Sequence, residues 1–272
     1  MKIDWCVCDL DGTLLDSKGK LSEKNLAAVQ GLMGRGVEVI LATGRSDLFV
    51  RKIADKLGIT QPIVSCNGGL IRNLMTDEIL FSHPIGAEKS AKLTAYCLET
   101  GRDALAYSPE KIFFFRGSNK IGSYHRYNAE VEAAFQIPLS EVCRVEDLPL
   151  PDMLKFYISD INPEIAANIQ LELNPDGELS MVQSMQDVLD IMAKGVSKGN
   201  ALVFLADKIG MDLSRTAVLG DNYNDLSMLR VAGLPIAMEN AETAVKQVAK
   251  HIAPSNDESG VAYAIRHFIL EG

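Results

Sequence analysis

Two aspartates near the start of the chain, Asp9 and Asp11, are its first candidate chemical groups. They follow an apolar run, residues 3–8, that is predicted to be a strand. Burying two carboxylates at the end of a strand costs desolvation free energy, so such a pair indicates a bound cation or a reaction that uses it. Alternate side chains of a strand share a face, and Gly12 permits a sharp turn, so both carboxylates can converge where open α/β sheets bind ligands. Taken alone, the segment is also compatible with an ordinary Asp-Gly turn.

Three further segments carry polar side chains beside predicted strands or helices. Thr43 and Gly44 lie between a strand and a helix, where they form an anion site or merely cap the helix. Lys194 and Lys198 precede another helix, and either neutralise a phosphate or lie in solvent. Residues 220–225 combine carboxylates and amides, which is also usual in loops. Because all these segments would meet at the carboxyl edge of one sheet, we interpret them as a single site.

Composition narrows the class of protein. The 272 residues are 47% hydrophobic and 23% charged, which is typical of a globular protein with one large domain or two smaller ones. A net charge of −9 argues against general nucleic-acid binding. The five cysteines show no zinc spacing, so a metal here should be bound by oxygen. With no signal-peptide pattern and no membrane-length apolar run, we expect a cytoplasmic protein that does not contact a membrane.

The elements that must position these groups alternate between strand and helix. Predicted strands cover residues 3–8, 37–41, 63–66, 216–219 and 234–237, and predicted helices cover 22–33, 46–57, 200–209 and 226–231. This rhythm predicts a doubly wound, parallel, Rossmann-like α/β core. It changes between residues 82 and 190, where the strands are predicted at 112–115, 154–158 and 179–182 and the helices at 88–100, 129–135 and 163–171. We therefore predict a core of residues 1–82 plus 191–272 and an inserted α+β domain of residues 83–190.

Four motifs in chain order resemble those of the haloacid dehalogenase superfamily of phosphotransferases: residues 9–13, residues 43–45, Lys198 and residues 220–225. The insertion resembles the large cap of the Cof-type sugar-phosphatase branch, class IIB. Residues 66–69, 194–199 and 257–262 are similar to that branch as well. The similarity extends over essentially the whole chain.

The resemblance implies a catalytic role for several residues. Asp9 would be the nucleophile that forms an aspartyl-phosphate, and splitting hydrolysis in this way replaces one hard step by two easier ones. Asp11 would be the general acid and then the general base. Thr43 and Lys198 would complete the catalytic set, with Lys198 preferred over Lys194 because its offset before the helix fits the family pattern.

The resemblance also implies a ligand set. Mg²⁺ would be held by the carboxylates of Asp9 and Asp221 and the backbone carbonyl of Asp11, and Asp225 would orient Lys198 or a metal-bound water or be a direct ligand. The residues expected to bind the phosphate are Leu10, Thr43, Gly44, Lys198 and Asn224. For Arg45, substrate contact and a simple salt bridge both stay open.

The implied function is hydrolysis of small phosphorylated metabolites by a monomer or homodimer. The cap would supply specificity by closing over the core, and its polar candidates are Arg116, Tyr124, His125 and Lys155. Two alternatives are a phosphomutase similar to the phosphomannomutases and a non-catalytic sugar-phosphate sensor. The intact pair of Asp9 and Asp11 favours catalysis, and the absence of a strong basic cluster in the cap favours water as the phosphoryl acceptor.

Overall fold

The structure, a computed structural model, describes residues 2–185 and 187–271. The chain forms two compact units. The core unit consists of Met1–Arg45, Arg51–Leu80 and Ser197–Gly272, and the inserted unit consists of Ser46–Val50 and Phe81–Val196. Among the described residues, no helix combines the length and the apolar character needed to cross a membrane.

The secondary structure comprises the following elements. The strands, in chain order, are β1 (Trp5–Cys8), β2 (Glu38–Leu41), β3 (Ile63–Ser65), β4 (Leu70–Asn73), β5 (Glu78–Ser82), β6 (Ala104–Tyr107), β7 (Ile112–Phe115), β8 (Leu139–Val142), β9 (Lys155–Ser159), β10 (Leu179–Met185), β11 (Val188–Ala193), β12 (Thr216–Gly220), β13 (Leu234–Met238) and β14 (His251–Ala253). The helices are α1 (Glu23–Met33), α2 (Asp47–Leu57), α3 (Ala87–Thr100), α4 (Ile121–Glu130), α5 (Pro163–Leu173), α6 (Lys198–Ile209), α7 (Leu226–Val231), α8 (Thr243–Val248) and α9 (Gly260–Ala264).

The core unit contains a parallel sheet in the order β14-β13-β12-β1-β2. Strand β1 pairs with β12 on one side and β2 on the other, so Cys8 lies between Leu219 and Leu41. The chain leaves β1 toward β2 and later returns on the opposite side at β12. This reversal is a topological switch point, where doubly wound sheets bind ligands. The predicted doubly wound α/β fold is confirmed.

Local signals explain where the core helices begin. The Ser22 hydroxyl accepts a hydrogen bond from the N–H of Asn25 and starts α1, and Ser197 caps α6 in the same way through the N–H of Asn200. Both serines satisfy N–H groups that have no partner within the helix. As a result, Lys198 is the first residue of α6.

The inserted unit contains a six-stranded sheet in the order β10-β11-β9-β6-β7-β8. Its strand pairs are antiparallel except β7 with β8. Leu93 of α3 and Ile169 of α5 share one buried cluster with Phe113, Phe156 and Ile158 of the sheet. Both helices therefore cover the same face of the sheet. The sheet of the inserted unit is therefore mixed, with both helices on one side.

Two sequence predictions differ from the structure. The helix predicted at residues 129–135 is wrong, because α4 ends at Glu130 and only a short 3₁₀ turn, Ala133–Phe135, follows. Near the end of α4, the Asn128 side chain makes two hydrogen bonds to the backbone of Ile137, each of 2.8 Å. The sequence also placed the end of the insertion at residue 190, within β11. That strand pairs with β9 and β10, so the inserted unit extends to Val196.

Candidate active site

The predicted site residues of the core unit lie at the carboxyl ends of its central strands. Asp9 directly follows β1, and its N–H donates to the Leu219 carbonyl of β12 at 3.0 Å. The N–H of Thr43, two residues after β2, donates to the Val64 carbonyl of β3 at 2.8 Å. Backbone hydrogen bonds between neighbouring strands thus extend beyond the strand ends, and they fix the backbone of Asp9 and Thr43.

Lys198 lies beside Asp9 at this edge. Its ammonium contacts Asp9 Oδ1 at 2.6 Å and Asp225 Oδ1 at 2.7 Å, and its side chain is fully buried. Lys194, the other lysine considered from the sequence, lies in the inserted unit and pairs with the exposed Glu178 at 2.9 Å. Of the two lysines, Lys198 is therefore the one that can neutralise charge at Asp9.

Asp225 uses both of its carboxylate oxygens within the protein. Its Oδ1 contacts Lys198, and its Oδ2 accepts the N–H groups of Asp221 at 2.9 Å and Asn222 at 3.0 Å. The side chain is completely buried. Because its hydrogen bonds hold both the lysine and the turn after β12, Asp225 is suited to orient the site.

Asp221 has one engaged oxygen and one open oxygen. The Thr13 hydroxyl donates to Asp221 Oδ1 at 2.7 Å. A Cβ added at Gly12 would lie 2.2 Å from Asp221 Oδ2, and Gly12 has a φ of +76°, which side chains rarely adopt. Gly12 therefore keeps clear the space beside the open oxygen.

Three carboxylates lie close together in this site, and two of them contact the Lys198 ammonium. One carboxylate oxygen from each of Asp9, Asp221 and Asp225 lies within 4.8 Å of the others. Among the described residues, no hydrogen bond reaches Asp9 Oδ2 or Asp221 Oδ2. Open carboxylate oxygens in an excess of negative charge are the donors that Mg²⁺ prefers. The donor set fits such an ion, with Asp9 and Asp221 as the available ligands.

Burial and mutual repulsion shift the pKa values of these groups. Burial raises the pKa of Asp9 well above its usual value, an effect that Lys198 opposes and that Asp225 and Asp221 reinforce. Burial, with the nearby Asp225, raises the pKa of Asp221 to about 7. For Lys198, burial alone would lower the pKa, but the carboxylates of Asp225 and Asp9 outweigh it and raise the value. The site thus keeps its lysine charged, and its three carboxylates outnumber this one positive charge.

Asp11 does not share the ion cluster of Asp9. Arg45 instead holds its carboxylate from two sides, Nε donating to Oδ2 at 2.6 Å and Nη2 contacting Oδ1. Of the two interpretations of Arg45 left open by the sequence, this structure contains the salt bridge. Any proton transfer by Asp11 requires this bidentate contact to open.

Thr43, Gly44 and Asn224 form a second group of predicted residues. The Thr43 hydroxyl accepts the N–H of Arg45 at 3.1 Å, and within the described residues its own hydrogen has no acceptor. A Cβ added at Gly44 would lie 3.6 Å from Asn224 Nδ2, so these two residues are neighbours. Leu10 is completely buried, and its side chain belongs to the apolar core.

Two residues of the site were not assigned a role from the sequence. Thr13 orients Asp221, and Asn67 accepts a hydrogen bond from Asn224 Nδ2 at 2.9 Å. Both lie inside motifs that stand out in the sequence, at residues 9–13 and 66–69. The motif spacing marks these segments, but a role for each side chain requires its partner to be known.

The C-terminal segment that resembled the family supports the first loop. Asp257 Oδ1 accepts the N–H of Ser17 at 2.8 Å. The Asn256 amide donates to the Leu15 carbonyl at 2.9 Å, and Asn240 donates to the Gly12 carbonyl at 2.8 Å. These contacts hold the turn that follows Asp11.

The polar candidates of the inserted unit have partners within that unit. Lys155 lies 3.0 Å from Asp190, with both side chains buried. Tyr124 and Tyr107 share a hydroxyl–hydroxyl contact of 3.2 Å. Arg116 is exposed and lies 3.6 Å from Glu141, and the ring of His125 lies edge-on to a neighbouring phenylalanine.

The fold and the site together define the class of protein. A doubly wound sheet presents a buried carboxylate–lysine–carboxylate trio at its switch point, beside a second aspartate with an open oxygen. Such a set can hold a divalent cation and an anionic group close to a carboxylate nucleophile. This combination is characteristic of α/β enzymes that act on phosphate esters.

Comparison with known proteins gives the family. The family model described as haloacid dehalogenase-like hydrolase matches residues 6–265. The chain belongs to the haloacid dehalogenase-like hydrolase family, and it is an enzyme of the phosphatase class. A 5-amino-6-(5-phospho-D-ribitylamino)uracil phosphatase of Bacillus subtilis is 28% identical over 266 residues, which cover 96% of this chain and 94% of the relative.

Solved structures agree over nearly the full length. A haloacid dehalogenase-like hydrolase from Bacteroides thetaiotaomicron has a TM-score of 0.84 and 28% identity, covering 98% of this chain and 99% of that one. A sugar phosphatase of haloacid dehalogenase subclass IIB has a TM-score of 0.82 at 21% identity, covering 98% and 99%. At this identity the second comparison concerns the fold alone, and that fold is the one expected from the sequence.

Proposed function

We propose that the protein is a Mg²⁺-dependent phosphatase that hydrolyses small phosphorylated metabolites through an aspartyl-phosphate on Asp9. One observation carries the proposal, namely the buried Asp9–Lys198–Asp225 trio with its contacts of 2.6 and 2.7 Å, next to the open oxygen of Asp221. A carboxylate that is desolvated and oriented by a fixed lysine is prepared to act as a nucleophile.

In the first proposed step, an Asp9 carboxylate oxygen attacks the phosphorus and the bond to the substrate alcohol breaks. Asp11 donates a proton to the departing alkoxide. In the second step, water attacks the aspartyl-phosphate, Asp11 takes the proton back, and inorganic phosphate leaves with the Asp9 carboxylate restored. General acid and base catalysis of this kind contributes roughly 10²–10⁴-fold to a rate.

Lys198 orients Asp9 and neutralises charge that develops on the phosphoryl group. Its own position is set by Asp225, whose two oxygens are both engaged. We therefore assign Asp225 to positioning rather than to direct metal ligation. Removing Asp225 would leave the buried lysine with one carboxylate instead of two.

The carboxylates of Asp9 and Asp221, with the backbone carbonyl of Asp11, would hold Mg²⁺. The bound ion would act as a Lewis acid and template for the phosphoryl oxygens. Thr43, Gly44 and Asn224, with the backbone of Leu10, would contact the remaining phosphoryl oxygens. The hydroxyl hydrogen of Thr43, which no described residue accepts, supports this assignment.

The proposed substrates are phosphomonoesters of sugars, sugar alcohols and similar small metabolites. The relative from Bacillus subtilis is named as a phosphatase of a phosphorylated ribitylamino compound, and it supports this class. Residues of the inserted unit would supply the specificity. A monomeric or homodimeric state stays a prediction.

The first test is phosphate release from a panel of phosphorylated metabolites, with Mg²⁺ or with EDTA. The wild type should release phosphate only with the metal, and Asp9→Asn should release none. Asp55→Asn is the matched control, because Asp55 is an exposed residue of α2. Activity in the Asp9→Asn variant, or no release from any compound by the wild type, would contradict the proposal.

A second readout concerns the intermediate. Acid quenching during turnover, followed by mass spectrometry, should find one phosphoryl group on the peptide that contains Asp9. Asp11→Asn should prolong its lifetime, because this variant has no base for the attacking water. Phosphate bound elsewhere in the chain would contradict the assignment of the nucleophile.

A further inference from the structure

The loop after β3 has an unusual backbone. Cys66, Asn67 and Gly68 are three consecutive residues with positive φ angles, of 49°, 57° and 101°. Non-glycine residues in this region are strained, although asparagine tolerates it better than most. Such a loop persists only where surrounding contacts determine its conformation.

Two backbone hydrogen bonds fasten this loop to the segment that carries Thr43. The Cys66 N–H donates to the Arg45 carbonyl at 2.8 Å, and the Asn67 N–H donates to the Thr43 carbonyl at 3.0 Å. On the other side, a Cβ added at Gly68 would lie 2.4 Å from the Ser197 carbonyl oxygen. The loop is therefore packed against both the candidate phosphate-binding segment and the start of α6.

The backbone conformation places the Asn67 side chain within the site. Asn67 is 2% exposed, and its Oδ1 accepts a hydrogen bond from Asn224 Nδ2 at 2.9 Å. A Cβ added at Gly44 would lie 3.0 Å from the same Oδ1. The Asn67 amide therefore lies against Gly44 and Asn224, two residues expected to bind phosphate.

We infer that Asn67 is a positioning residue for phosphate binding and that it acts through the amide of Asn224. This role for Asn67 rests on the proposed function, and it adds Asn67 to the residues that determine how phosphate binds. An asparagine amide can rotate and exchange its two ends, and a fixed acceptor removes that freedom. With one N–H of Asn224 bound to Asn67, its second N–H is held in a fixed direction and can donate to a phosphoryl oxygen.

A purely structural role is the competing explanation, because Asn suits a left-handed backbone. Asn67→Gly separates the two explanations. Glycine accepts the positive φ without strain but has no side chain to bind Asn224. If only the backbone conformation matters, the variant should equal the wild type in stability and activity.

The experiment measures KM, kcat and inhibition by inorganic phosphate for Asn67→Gly, Asn224→Ala and the double variant. We expect the KM and the phosphate Ki of Asn67→Gly to rise about tenfold, as for the loss of one oriented hydrogen bond to a charged ligand. The kcat should stay within about twofold, since the ground state and the transition state share this contact. The double variant should bind phosphate no more weakly than Asn224→Ala alone.

An unchanged KM and phosphate Ki in Asn67→Gly would overturn the inference. It would also be overturned if the losses of phosphate affinity in the two single variants multiplied in the double variant, because the two residues would then act independently. Calorimetric titration with inorganic phosphate in the presence of Mg²⁺ provides a readout that does not depend on turnover. If the wild type binds phosphate but releases none from substrates, the proposed function fails, and the affinity of Asn67→Gly still decides the role of Asn67.

Discussion

The buried lysine provides the sharpest test of how the site is held together. Replacing Lys198 with methionine retains most of its length but removes its charge. Asp9 and Asp225 then lose the ammonium that lies at 2.6 and 2.7 Å from them. Removing one member of a buried ion pair destabilises a protein by about 3–5 kcal/mol, because the remaining charges stay desolvated and unpaired. We expect a loss in this range for Lys198→Met.

Lys194→Met is the matched control. Lys194 also contacts a carboxylate, that of Glu178, but both side chains are more than half exposed. Exposed pairs of this kind contribute about 0–1 kcal/mol. The same chemical substitution four residues earlier should therefore change the free energy of unfolding very little.

The chain contains one tryptophan, Trp5, which lies in β1 of the core unit. Its fluorescence during urea unfolding reports on that unit, so the transition of the core can be followed by itself. Asp225→Asn should also destabilise the core. The double variant, Lys198→Met with Asp225→Asn, should lose less than the sum of the two, because each substitution removes part of the same interaction.

Unfolding of Lys198→Met at the same urea concentration as Lys194→Met would refute a stabilising role for the buried lysine. Wild-type phosphate release by Lys198→Met would in turn refute a catalytic role for this lysine. Loss of activity with unchanged stability would show that the desolvation argument is wrong and leave the catalytic role intact.

Three other predictions follow from the same structure. Gly12→Ala should abolish Mg²⁺-dependent activity, because the added Cβ would lie 2.2 Å from an Asp221 oxygen. Gly19→Ala is the control and should keep its activity, since Gly19 has a similar φ but no atom within 4 Å of the added Cβ. Equal activities of the two variants in a phosphate-release assay would contradict this prediction. Mg²⁺ at about 100 times its Kd should stabilise the core by about 2.7 kcal/mol, and in thermal melts an equal upward shift for Asp221→Asn would count against Asp221 as a ligand. Lys155→Met should destabilise the inserted unit by about 3–5 kcal/mol, and adding Asp190→Leu should recover much of the loss; calorimetry that finds no recovery would argue against a buried ion pair.

The sequence predicts the core unit well because its signals are local. Apolar runs of strand length, helix caps and glycines depend on neighbouring residues only. Helix α1, for example, lies within the predicted residues 22–33, and Leu226–Val231 is the helix predicted at 226–231. The inserted unit is predicted less well. Helix α4 has one buried residue, Ile121, and the two hydrogen bonds between Asn128, near its end, and the backbone of Ile137 join residues nine apart in the chain.

The candidate residues were likewise visible from the sequence, but their partners were not. The pattern of Asp9, Asp11 and residues 220–225 identifies which groups could do chemistry and at which edge of the sheet they should meet. It does not determine that Asp11 pairs with Arg45, nor that both oxygens of Asp225 are engaged.

The sequence by itself determined the class of fold, the order of the motifs and the residue types available for phosphate chemistry, because these properties follow from composition and short-range periodicity. Only the tertiary structure decided which groups touch. Lys198 and Asp9 are 189 residues apart in the chain, and Asn224 and Asn67 are 157 apart. Contacts at such separations depend on how the strands align in the sheet, and no local pattern records that alignment.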